Sequence, residues 1–236
     1  MAEGINKYGA TARPVRRAYA APETRVKVKT DRAKNLAIAK AKQDVNAGLN
    51  SKEISTLQRI ENAHRNRKTE QINIVDENGN VVLSKNGSAT RVRMTNYEAS
   101  QMKDRILTHN HPNPGNEHNG LGTGLAGQIG LTLSGADVGA SIRNNAKEVR
   151  ASAQGYVYSV KRPKGGWGNI NSYAVEREIN QARMGDFGWA KQYVNSAKTR
   201  EEAYNRQGRY NVATQNAAMR AIAKKYGFTY TRRKMS

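Results

Sequence analysis

The sequence predicts an α+β (α/β-like) domain, a mixed sheet flanked by helices, carried between basic helical N- and C-terminal extensions. Three observations lead there. Short segments rich in apolar residues at every second position, QINIVDENGNVVLS, ILTHNHP and GYVYSVKRP, read as strands. Segments with apolar residues three or four apart lie between and after them and read as helices. Charge is unevenly divided: Lys/Arg against Asp/Glu stand at 16 to 7 over residues 1–70 and 10 to 2 over 196–236, but only 14 to 10 in between. A near-neutral centre with basic flanks is the pattern of a folded domain bearing extensions.

Taken in order, residues 1–29 mix Gly4, Gly9, Pro14 and Pro22 with six Lys/Arg from Arg13 to Lys29 and show no apolar period. This is an arm expected to be disordered unless bound. A helical pair follows over 30–65: Ala33, Leu36, Ala37, Ile38 and Ala41 before Gly48, then Ile54, Leu57 and Ile60 behind a Ser51 cap. His64, beside Arg65 and Arg67 at a basic helix end, reads as a solvated or capping histidine. The central domain is expected over 66–168. Its first two strands place Ile72, Ile74, Val81 and Leu83 around DENGN, with Asn78-Gly79 suited to a type I′ hairpin.

SATRVRM adds a third strand, and TNYEASQMKDRIL an amphipathic helix with Tyr97, Met102 and Ile106 near one face. ILTHNHP is a strand ended by Pro112. VGASIRNNAKEVRA reads as a helix packing Val138, Ile142 and Val149, and GYVYSVKRP as a strand. The basic region 169–236 is helical in three segments, SYAVEREINQARM, WAKQYVNSAKTREEAYNRQ and VATQNAAMRAIAKKYG. In its last segment, KKYGFTYTRRKMS, the aromatics either stack on bases or belong to a final strand docking on the sheet, the plainer account.

Composition narrows the function. Only 37% of residues are hydrophobic and 6% aromatic, so the core is modest. The absence of cysteine excludes a disulfide framework, a thiol nucleophile and Cys-ligated zinc. No run of 18 apolar residues occurs, and Met1 to Ala21 is basic without an apolar stretch. Neither a membrane span nor a signal peptide is therefore expected, which places the protein in a cytoplasm or inside a particle. A net charge of +21 favours contact with DNA or RNA through the basic termini, or with an acidic protein surface.

Chemistry concentrates between Leu107 and Asp137, where three of the four histidines fall: His109, His111 and His118. His109 and His111, one residue apart on a strand, present both imidazoles on one face. Two imidazoles and the carboxylate of Asp137 are a ligand set for a hydrolytic zinc site with one position left for water. A Gly/Asn-rich surface loop that happens to contain two histidines accounts for the same letters. Gly122-Thr123-Gly124-Leu125-Ala126-Gly127 spells G-x-G-x-x-G, but no strand precedes it, so a mobile flap fits better than a dinucleotide site.

THNHP followed by Ser-x-x-Asp resembles the JAB/MPN (JAMM) metalloprotease family, whose signature is His-x-His-Pro, a spacer, then Ser-x-x-Asp. The matching positions are His109, His111, Pro112, Ser134 and Asp137, with 22 residues between His111 and Ser134, more than is usual in the family. The resemblance covers roughly residues 66–168. It implies a JAB/MPN-type mixed sheet, Zn2+ held by His109, His111 and Asp137, and Glu70 as the general base from an earlier strand. It assigns Ser134 a hydrogen bond to the oxyanion, and peptide or isopeptide hydrolysis of a protein substrate as the activity.

Domains with this style of sequence are similar to those attached to phage head proteins and bacterial polymorphic toxins, which implies phage capsid or portal proteins as partners. Two other functions compete with the peptidase. One is a non-catalytic basic virion protein, cargo or structural, that contacts nucleic acid on the same scaffold. The other is a nuclease using the same metal, although a single zinc with one general base suits acyl chemistry better.

Overall fold

The computed structural model describes residues 44–65, 67–88, 91–112, 132–153, 155–183 and 192–235, all within the compact unit Ala41–Ser236. The expected arm, the helix from Thr30, His118 and the Gly122–Gly127 segment lie outside them. A six-stranded mixed sheet runs in the order β2-β1-β3-β4-β5-β6. Its strands are β1 (Gln71–Val75), β2 (Val81–Asn86), β3 (Ile106–Asn110), β4 (Glu148–Ala153), β5 (Tyr156–Lys161) and β6 (Thr229–Lys234). Every neighbouring pair is antiparallel except β3 and β4. A parallel pair needs a crossover, and the helix within this one is α3 (Gly135–Arg143). Other helices among the described residues include α1 (Ser51–His64), α2 (Asn96–Ser100), α4 (Ser172–Arg183) and α5 (Arg200–Tyr226).

Alternation along the strands gives the sheet two unlike faces. One face is apolar. Ile72 and Ile74 of β1, Leu107 of β3, Val149 and Ala151 of β4 and Val160 of β5 pack with Val138 and Ile142 of α3, Val175 and Ile179 of α4, and Met219 and Ile222 of α5. Close approach of α3 to α4 depends on Gly135, where an added Cβ would lie 2.5 Å from the Glu176 carbonyl oxygen. The opposite face carries a smaller apolar cluster, Leu57 and Ile60 of α1 against Val75 and Ile106. Beside it a polar row crosses five strands in register: Asn73, Thr108, Arg150, Ser159 and Thr231, all buried.

Arg150 organises that polar layer. Its guanidinium donates to Glu148 at 2.6 Å and Glu61 of α1 at 2.8 Å, and to the Val45 carbonyl at 2.6 Å. Glu61 also holds Arg233 of β6 at 3.2 Å, and Ser159 donates to Glu148 at 2.6 Å. Burial drives the Glu61 carboxyl above its ordinary pKa, although Arg150 and Arg233 pull the other way. β4, the parallel neighbour of β3, is thus tied to α1 and β6 through Glu61, and a buried ion pair is costly to break from one side.

Several sequence expectations need correction. The described residues of SATRVRM form no strand: residues 91–95 have no regular structure, although Val92 and Met94 pack on the core. The helix expected over TNYEASQMKDRIL is only Asn96–Ser100, capped by Thr95 with Glu98, and Tyr97 is exposed. The VGASIRNNAKEVRA helix stops at Arg143. Asn145 takes a positive φ of 52°, and Glu148 then opens a buried strand. The hairpin turn is not type I′: Gly79 N–H donates to Asp76 at 3.0 Å, and in the turn only Gly79, at φ 78°, is left-handed. The α1 cap is Asn50, whose side chain accepts from Lys52 and Glu53. His64 is buried and hydrogen-bonded to Asn73 at 3.1 Å, so it is neither solvated nor a cap. In the C-terminal region α5 runs unbroken through Gly208, and β6 docks antiparallel on β5. No helix among the described residues is long and apolar enough to cross a membrane.

Candidate metal centre

β3 supplies two of the candidate ligands because of its register. His109 pairs with Ile72 on one side and Ala151 on the other, which turns its ring toward the apolar face occupied by α3. His111 lies two residues on, where the strand has ended but its N–H still donates to Ser152 at 2.9 Å. Both rings therefore leave the same face at the carboxyl end of β3.

The third group comes from the first turn of α3. Ser134 caps the helix: its Oγ accepts from the Asp137 N–H at 3.2 Å, and its own N–H donates to Asp137 Oδ2 at 2.7 Å. This reciprocal pair is a capping box with aspartate in the glutamate position. The same local bonds that start the helix fix the carboxylate's direction, with both oxygens turned toward the histidines.

The ligand atoms of His109, His111 and Asp137 all lie within 4.8 Å of one another. His109 Nε2 is 3.0 Å from His111 Nε2 and 3.4 Å from Asp137 Oδ1, and His111 Nε2 is 3.7 Å from Asp137 Oδ2. Around a tetrahedral zinc with bonds of about 2.05 Å, neighbouring ligand atoms sit about 3.3 Å apart. The three separations bracket that value, so the residues fit such an ion. Among the described residues this is the group of His, Asp and Glu that could hold a metal ion.

Electrostatics agree with a cation-seeking site. Burial disfavours a charged Asp137, yet His109 and His111 hold its carboxyl well below the usual range. Burial likewise opposes a charged His109, but Asp137 and Glu70 outweigh it and raise its pKa. His109 Nδ1, on the far side of the ring, is buried and makes no hydrogen bond of good geometry.

Glu70 precedes β1 and extends its pairing: its N–H donates to Ser88 and its carbonyl accepts from Gly87, both at 2.8 Å. It shares the face of Ile72 and Ile74 and is half-buried. Burial raises its pKa, Asp137 adds to the rise, and His109 and His111 oppose it. Glu70 is therefore a neighbour of the cluster and not one of its three close ligands. Glu77 lies in the β1–β2 turn.

The chain matches no family model, curated protein or solved structure.

What stands is a cluster of two imidazoles and a carboxylate suited to a metal ion, with a second carboxylate and a serine beside it. Sequence reasoning named all five. His64, expected to be solvated or capping, instead lies buried, with its pKa lowered to about 4, by burial first and by the charges of His109 and Arg67 after it. Its burial partner, Asn73, sits on a strand with no sequence motif linking the two.

Proposed function

We propose that the chain is a zinc-dependent peptidase or isopeptidase of the JAB/MPN (JAMM) type, with His109, His111 and Asp137 holding Zn2+. The observation that carries this reading is the spacing of the three ligand atoms at tetrahedral distances from one another. Bound there, zinc supplies Lewis-acid polarisation of a carbonyl and lowers the pKa of water towards neutrality. The remaining work falls to protein groups. Glu70, with a carboxyl raised by burial, takes a proton from the attacking water and later delivers it to the leaving amine. Ser134 Oγ accepts from the Asp137 N–H, which leaves its hydroxyl proton to donate to the oxyanion of the tetrahedral intermediate.

A second reading, a non-catalytic basic protein that contacts nucleic acid on the same scaffold, is favoured by the net charge of +21. A place in a phage particle, against capsid or portal proteins, or in a toxin rests on the sequence resemblance. The two readings separate in one experiment. Zinc-loaded full-length protein is incubated with a casein digest and with isopeptide-linked peptides, alongside Glu70→Gln. Hydrolysis that Glu70→Gln abolishes while zinc content is kept supports the peptidase. Equal traces from both proteins, with DNA binding that weakens steeply as salt rises, support the other.

A further inference from the structure

At the end of β2, an open groove of about 790 Å³ is lined by Lys85, Asn86, Gly87, Ser88, Arg91 and Arg93. Three of those six residues are cationic and none is acidic. Lys85 is already neutralised: its Nζ lies 2.8 and 2.7 Å from the two oxygens of Glu98. Glu98 is in turn committed to the Thr95 N–H at 2.7 Å. Arg91 and Arg93 are exposed and have no ion-pair partner among the described residues. The groove therefore presents two uncompensated guanidiniums, groups whose planar donor fork matches a carboxylate.

Its position relates it to the metal centre. Lys85 pairs with Ile72, and Ile72 with His109, so the three occupy one row on the same sheet face. Two strand spacings make that separation about 10 Å. Gly87 and Ser88, on the groove wall, are the residues whose backbones bond Glu70. An extended chain advances about 3.3 Å per residue, so a peptide cut at the metal would reach the groove about three residues away.

We infer that this groove is a substrate subsite for an acidic side chain, Asp or Glu, about three residues from the bond cleaved. The inference rests on the peptidase reading for its substrate, so its test is equilibrium binding, which needs no turnover. Fluorescein-labelled decapeptides of Gly and Ser carrying a central Glu-Glu or Gln-Gln pair are titrated by anisotropy. The proteins are the full-length wild type, His109→Ala, Arg91→Ser/Arg93→Ser, and a charge-matched control, Lys164→Ser/Lys224→Ser.

The wild type is expected to prefer Glu-Glu by about tenfold, the scale of two partly screened ion pairs. The preference should persist in His109→Ala and in the control, and vanish in Arg91→Ser/Arg93→Ser. A preference that survives loss of both arginines, or falls equally in the control, overturns the subsite. So does a ten-residue oligothymidylate that binds more tightly than the Glu-Glu peptide and depends on the same arginines, since the occupant would then be nucleic acid. A wild type that discriminates as expected but hydrolyses nothing overturns the peptidase reading alone.

Discussion

Replacing Arg150 by methionine should destabilise the fold severely and in a pH-dependent way. The side chain is fully buried and donates four hydrogen bonds, to Glu148, Glu61, the Val45 carbonyl and Asn46. Methionine fills much of its volume but strands two buried carboxylates, of which Glu148 keeps the Ser159 hydroxyl and Glu61 keeps Arg233. Breaking a buried pair from one side costs about 3–5 kcal/mol. The pH dependence follows from Glu61, whose carboxyl is already raised by burial and is held down chiefly by Arg150. Without the guanidinium it rises further.

A carboxyl with a raised folded-state pKa favours folding below its unfolded pKa of about 4.3, and that advantage is lost as pH rises through the folded value. The penalty of Arg150→Met should therefore be full at pH 8 and shrink towards pH 5. Urea unfolding followed by circular dichroism at both pH values measures it. A loss under about 1 kcal/mol, or one unchanged between pH 8 and pH 5, would mean that Arg150 does not hold Glu61 and Glu148 in their charged forms. Adding Glu61→Gln and Glu148→Gln to Arg150→Met should recover part of the loss at pH 8.

Three further outcomes are expected. His64, with its pKa lowered to about 4, should weaken folding as pH falls from its unfolded value of about 6.5, by up to about 3 kcal/mol near pH 4. Subtracting the urea-unfolding profile of His64→Gln isolates this contribution, and an unchanged difference between pH 7 and pH 4.5 would contradict it. Gly79→Ala combines a left-handed backbone with a Cβ 2.8 Å from the Lys52 backbone. It should lower the midpoint of thermal unfolding by several degrees, read by calorimetry. Ser134→Ala removes the α3 cap at a cost of about 1 kcal/mol and also the proposed oxyanion donor. The turnover of the zinc-loaded protein should therefore fall far more, about a hundredfold, with zinc still bound.

The parts of the fold legible in the sequence were those held by local rules. β1, β2, β3 and β5 alternate in hydrophobicity, and the helix expected from Val138 is α3, which its capping box at Ser134 and Asp137 starts at Gly135. β4 was missed because its inward residues on one face are Glu148 and Arg150. Charged residues normally mark a solvated surface, and here they are buried because they pair with each other and with Glu61. The segments ending at Gln207 and starting at Val212 were expected to be separate helices, yet α5 joins them through Gly208, since one glycine costs a long packed helix only about 1 kcal/mol. Of the site, the residue identities were legible and their convergence was not. Asp137 meets His109 and His111 through the β3–α3–β4 crossover, a tertiary relation that spacing along the chain does not encode.

Equilibrium dialysis against Zn2+ with elemental analysis tests whether His109, His111 and Asp137 bind one metal ion together. Wild-type protein should retain close to one zinc per chain, and His109→Ala and Asp137→Asn, each confirmed as folded by circular dichroism, should retain almost none. Wild-type protein that emerges without zinc, or folded variants that hold as much as the wild type, would contradict it.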